Sequence, residues 1–173
     1  WERQAEQLQS DILNRIIFQG RAIEWRDAAC RAEWLDAQDG GSGYRLRKLR
    51  FEALPGTWVP AVLYEPENLV GPAPVVVNVN GHELAGNAAA HAQLLCINLA
   101  KRGILALNVE WFGMGQLRQP GFRHGCMNQI DLCGSSGLAP FYLSLKRSLD
   151  VVLALPHADT SRVAVCGLSG GGW

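Results

Sequence analysis

Three short, nearly continuous apolar runs, set apart by longer helical stretches, restrict this chain to a small set of folds. They are Val75-Val76-Val77-Asn78-Val79, Ile104-Leu105-Ala106-Leu107-Asn108-Val109 and Arg162-Val163-Ala164-Val165-Cys166. A strand that is apolar at successive positions, not alternate ones, is expected to be covered on both faces. A helical pattern over 87–102 separates the first two runs, with Gly103 as its stop signal. Before the third run, Phe141, Leu145, Leu149 and Leu153 recur every fourth residue and predict a helix over 138–155. Pro140 falls in its first turn, where a missing N–H costs little. Strand, helix, strand, helix, strand implies right-handed crossovers and a mostly parallel sheet with helices on both faces.

The segments upstream follow other periods. From Trp1 to Gln38 the pattern is helical: Leu8, Ile12 and Ile16 form a stripe that Ala22, Trp25 and Ala29 continue, with an interruption at Gly20. The cluster Asp39-Gly40-Gly41-Ser42-Gly43 ends this part. Residues 1–43 therefore read as a helical extension and 44–173 as the α/β unit. Tyr44 to Tyr64 alternates instead, with Pro55-Gly56 between its halves, and predicts an N-terminal antiparallel hairpin. Pro60 suits an edge position there.

Charge and composition exclude several functions. Lys plus Arg and Asp plus Glu stand at 16 each, so no basic surface calls for nucleic acid. No apolar run is long enough for a bilayer, so no membrane partner is expected. The five cysteines, Cys30, Cys96, Cys126, Cys133 and Cys166, contain no C-x-x-C pair and read as scattered thiols, with Cys126–Cys133 the one conceivable pairing. Neither a cofactor nor a metal is called for. The expected partner is a neutral small molecule or polymer. The chain begins without Met and ends in Gly170-Gly171-Gly172-Trp173, so both ends look cut. A soluble protein is expected, cytoplasmic or exported.

Gly167-Leu168-Ser169-Gly170-Gly171 matches G-x-S-x-G. Chance alone gives roughly one such match in ten chains of this composition. Its position directly after a parallel strand is what gives it meaning, because a nucleophile elbow must lie there. Ser169 is the candidate nucleophile. Asn80-Gly81-His82-Glu83 follows the first parallel strand, where such folds place one oxyanion-hole donor. The backbone amides of His82 and Gly170 are the candidate donors, with Glu83 the alternative to His82. The required chain order is Ser, then Asp or Glu, then His. Yet His82, His91, His124 and His157 all precede Ser169. The expectation is an incomplete fold, truncated after the elbow, whose acid and base lie outside the chain. An NAD-binding domain is excluded, since residues 80–86 do not supply G-x-G-x-x-G.

The residues from Val75 to His82, Leu99 to Gly103, Trp111 to Gln116, Asp131 to Gly134, Ser136 to Tyr142 and Leu155 to Trp173 together resemble the acetyl xylan esterase-like and dienelactone hydrolase-like branch of the α/β-hydrolase superfamily. The resemblance covers roughly residues 44–173. It implies a serine esterase removing acetyl or similar small acyl groups from small or carbohydrate esters. Ser169 would be its nucleophile and the His82 and Gly170 amides its oxyanion donors. The rival readings are another α/β-hydrolase (a dienelactone hydrolase or serine peptidase) or a non-catalytic hydrolase-fold binding protein. The isolated chain is expected to be unstable and inactive, with its last strand an exposed apolar edge.

Overall fold

The computed structural model describes residues 1–120 and 123–172. Gly121 and Phe122 of the loop after the second apolar run, and Trp173 of the terminal motif, lie outside the described residues.

The chain opens with α1 (Glu2–Asp11), a π-helical turn over Ile12–Ile17, and α2 (Ala22–Arg26). Gly20, at φ +57°, breaks the helical run where the sequence places the interruption. The stripe itself points outward, since Leu8, Ile12 and Ile16 are exposed while Ile17, Phe18 and Ala22 enter the core. The i→i+5 turn explains this, because Phe18 N–H donates to the Leu13 carbonyl at 2.8 Å and the buried face advances by a residue.

Helix does not persist to Gln38. Ala32–Trp34 forms strand β1 and Gln38–Asp39 forms strand β2, both antiparallel to β3 (Tyr44–Leu54). Contacts across the sheet override the local helical period here. Arg50 Nε meets Glu33 at 2.7 Å, Arg31 Nε meets Glu52 at 2.8 Å, and the Arg47 guanidinium stacks over Trp34 at 4.4 Å.

Strands β3 and β4 (Thr57–Pro66) pair antiparallel around the Pro55-Gly56 turn, from Tyr44 opposite Pro66 to Leu54 opposite Thr57. Pro60 does not mark an edge: β4 lies between β3 and β6 (Leu105–Val109). The β4–β6 pairing begins only at Ala61, so the N–H that Pro60 lacks falls at the end of that ladder. Strand β5 (Ala73–Val79) is followed by α3 (Ala90–Ala100), with Gly103 at φ +82° just beyond its end. After β6 come α4 (Gln129–Leu132), α5 (Ala139–Leu153) with Pro140 in its first turn, and β7 (Ala158–Gly167).

The sheet order is β1-β3-β4-β6-β5-β7, with β2 also on β3. β6, β5 and β7 run parallel, and the remaining neighbours are antiparallel, giving a mixed sheet. Leu105 and Leu107 from β6, Val75 and Val77 from β5, and Phe51 and Val59 from the hairpin meet in one core beneath α5. Phe51 is fully enclosed, so Phe51→Ala is expected to cost about 3–5 kcal/mol, read by urea denaturation.

β7 is not covered on both faces as the other two apolar runs are; it is the exposed apolar edge expected of the last strand. Val163 is 38 % and Val165 61 % exposed, because β7 lies at the end of the sheet order and pairs only with β5. An apolar edge of this kind templates pairing with another chain. Val165→Lys is therefore expected to reduce self-association of this chain in sedimentation velocity without lowering its melting temperature.

Candidate functional site at the turn after β7

The parallel strands β5, β6 and β7 end at the same side of the sheet, and every candidate residue lies on the loops they feed. The turn after β7 is set by Gly167 and Gly171. A Cβ on Gly167 would lie 2.0 Å from the Gly171 carbonyl oxygen, and one on Gly171 would lie 2.2 Å from that of Val79. No side chain fits either place. Between them Ser169 has φ +58°, the one non-glycine residue among those described with a left-handed backbone. That conformation costs an L-residue about 1–2 kcal/mol and is retained where the surroundings impose it. Ser169 is exposed and Gly170 beneath it is buried.

The loop after β5 comes directly against this turn. A Cβ on Gly81 would lie 2.8 Å from the Leu168 carbonyl oxygen and 3.1 Å from the Gly170 nitrogen, so backbone touches backbone there. The His82 ring lies over Gly170, with Cε1 and Nδ1 each 3.0 Å from where a Cβ on Gly170 would be. Ser169, Gly170 and His82 are thus brought together. Glu83 is not equivalent to His82: its N–H already donates to the Gly81 carbonyl at 2.8 Å, and its carboxylate receives the Ala85 N–H.

Aromatic groups close one side of the site. The His124 ring meets the His82 ring edge-on at 4.5 Å between centroids and the Phe141 ring at 5.2 Å. Trp111 and Phe141 are 4.7 Å apart. Burial, then the neighbouring His82, holds the His124 imidazole below its usual range. A cavity of about 200 Å³ runs from Gly170 and Gly171 along Trp111, Phe141 and Tyr142. His91 lies on α3, and His157 lies before β7, 3.2 Å from Glu65.

Polar groups buried under the site form a connected network. Asn78 Nδ2 and Asn80 Nδ2 donate to Asn108 Oδ1 at 3.0 and 2.7 Å, while Asn108 Nδ2 donates to the Asn87 carbonyl at 3.0 Å. The signal in the sequence is Asn78 and Asn108, which interrupt strands that are otherwise apolar. Asn108→Ala leaves several of these groups unsatisfied, and a loss of about 2–4 kcal/mol is expected in chemical denaturation.

All five cysteines are free thiols, Cys126 and Cys133 included. Among the described residues no group of three or more His, Cys, Asp or Glu side chains is placed to hold a metal ion. Nor is any described helix long and apolar enough to cross a membrane.

This architecture is an α/β-hydrolase fold of the acetyl xylan esterase-like kind. Over 94 % of its length the chain superposes on acetyl xylan esterase 1 from Thermoanaerobacterium sp. JW/SL YS485, with TM-score 0.72 and 19 % identity. An acetyl xylan esterase from Paenibacillus sp. R4 matches over 87 % at TM-score 0.63 and 21 % identity. A dienelactone hydrolase-like promiscuous phosphotriesterase from metagenomic libraries matches over 84 % at TM-score 0.53 and 23 % identity. The chain spans 51 %, 49 % and 52 % of these proteins, about half of each. No family model matches the chain, and no curated protein matches it in sequence.

Proposed function

We propose that this chain carries the nucleophile and the oxyanion hole of a serine-dependent carboxylic-ester hydrolase that removes acetyl or similar small acyl groups, from small or carbohydrate esters. The observation that carries the reading is the left-handed backbone of Ser169 at the end of a parallel strand, packed against the loop that holds His82. A strand-to-turn junction of this kind lifts a serine hydroxyl above the sheet.

In this reading Ser169 Oγ attacks the ester carbonyl carbon and forms a C–O bond as the carbonyl π pair moves to oxygen. The N–H groups of His82 and Gly170 hold that negative oxygen. One such donor is typically worth about 10²–10³ in kcat. Collapse expels the alcohol and leaves an acyl-serine, which water then hydrolyses. The proton from Oγ needs a base. In this fold the base follows the nucleophile in the chain, whereas His82, His91, His124 and His157 all precede it. The 173-residue chain alone is therefore not expected to turn over ester.

The test treats the full-length protein with a fluorophosphonate, maps the adduct by peptide mass, and measures turnover of an acetyl ester. An adduct on Ser169 that abolishes turnover supports the reading. Intact protein with no adduct at Ser169 and no turnover would move the fold to ligand binding without chemistry.

A further inference from the structure

We propose that Glu110 is the positioning residue that fixes the His82 loop against the Ser169 turn, by clamping it to the loop that follows β6. This rests on the ester-hydrolase reading above, and it concerns a residue that makes none of the contacts described there.

Glu110 directly follows the last residue of β6 and is 1 % exposed. Its carboxylate is taken up by three backbone N–H groups. Oε1 receives Asn87 at 3.0 Å and Trp111 at 3.2 Å, and Oε2 receives Gln116 at 3.1 Å. Asn87 belongs to the loop after β5, whereas Trp111 and Gln116 belong to the loop after β6. One side chain therefore joins two loops that are far apart in sequence. Glycines make this closure possible. Gly86 and Gly115 have φ +56° and +48°, and a Cβ on them would lie 1.9 and 2.2 Å from the carboxylate oxygens.

The same strand end holds the other end of the His82 loop. Asn80 Nδ2 donates to the Val109 carbonyl at 2.6 Å and to Asn108 Oδ1, and Asn108 Nδ2 grips the Asn87 carbonyl. Asn87 is thus held through its carbonyl by Asn108 and through its N–H by Glu110. Residues 81–86 are strung between these fixed points, and Gly81 and His82 are the part that meets the Ser169 turn. An oxyanion hole needs its two N–H groups fixed before reaction, and a displacement of about 1 Å can cost about 100-fold.

Glu110 does not act on substrate, because Gly86, Gly115 and the three N–H donors enclose the carboxylate. Burial pushes its carboxyl up, and the three backbone donors oppose that shift. A carboxylate suits this junction better than an amide because it accepts through both oxygens. Glutamine would turn an NH2 group toward at least one backbone N–H.

The experiment compares full-length wild type, Glu110→Gln, Glu110→Asp and Ser169→Ala with an acetyl ester, with active sites titrated by a fluorophosphonate. Glu110→Gln is expected to lower kcat per titrated site at least about tenfold, with KM within about threefold of wild type. A purely structural loss would instead reduce the number of titrated sites and leave kcat per site unchanged. Glu110→Asp keeps the charge but falls one methylene short. It is read in the same way and decides the matter should the Gln variant not fold. A kcat per site within about twofold of wild type in whichever variant folds overturns the proposal. Full turnover by Ser169→Ala removes Ser169 as the nucleophile, and with it the serine-dependent reading on which this proposal rests, so the two failures are separate results.

Discussion

Ser169→Ala in the full-length protein is expected to lower kcat for an acetyl ester by about 10⁴-fold or more and to leave the melting temperature unchanged. The size follows from the proposed mechanism, in which Ser169 Oγ forms the acyl-enzyme; rate enhancement that survives would come from binding and the proposed oxyanion donors. Stability should not move, because alanine keeps the Cβ that makes φ +58° unfavourable. Ser169→Gly separates the two effects. It also removes the nucleophile, but glycine adopts this backbone without steric cost, so the variant should gain about 1 kcal/mol in chemical denaturation. Loss of activity combined with gain of stability is the signature of strain held for function. Activity retained by Ser169→Ala would remove Ser169 from the chemistry. A Ser169→Gly variant no more stable than wild type would mean that the turn carries no strain.

The elements that the sequence declares are those whose cause is local. Val75–Val79 and Leu105–Val109 are buried by neighbours on both sides, and their unbroken apolar character says so. Gly103 stops α3 through its own backbone. The motif around Ser169 is legible because Gly167 and Gly171 serve close approaches within the motif and to the end of β5. What stayed hidden depends on partners distant in the chain. Ala32–Trp34 fits a helical period and becomes a strand through its pairing with β3, where Glu33 meets Arg50 and Trp34 meets Arg47. Glu110 reads as the polar residue that ends a strand. Its burial appears only when residues 86–87 and 115–116 close on it.

Among the three glycines that follow Ser169, alanine is expected to have graded effects, with Gly171→Ala the most severe. The obstacle to each Cβ differs in kind. At Gly171 it is the Val79 carbonyl oxygen, 2.2 Å away, with the Asn80 carbonyl oxygen at 3.2 Å. Val79 ends β5, held between β6 and β7, and Asn80 follows it directly, so the turn must yield. Such overpacking typically costs 1–3 kcal/mol, and the turn that moves carries Ser169 and the Gly170 N–H. A shift of about 1 Å there predicts a kcat about 100-fold lower, with a smaller change in KM. At Gly170 the obstacle is the His82 ring at 3.0 Å, a side chain that can swing away, so an intermediate loss is expected. At Gly172 the nearest atom is 3.8 Å away, which is ordinary contact, and alanine should leave activity within about twofold. Steady-state kinetics of the three full-length variants check the order. Equal losses at Gly171 and Gly172 would mean that the end of β5 does not hold this turn in place.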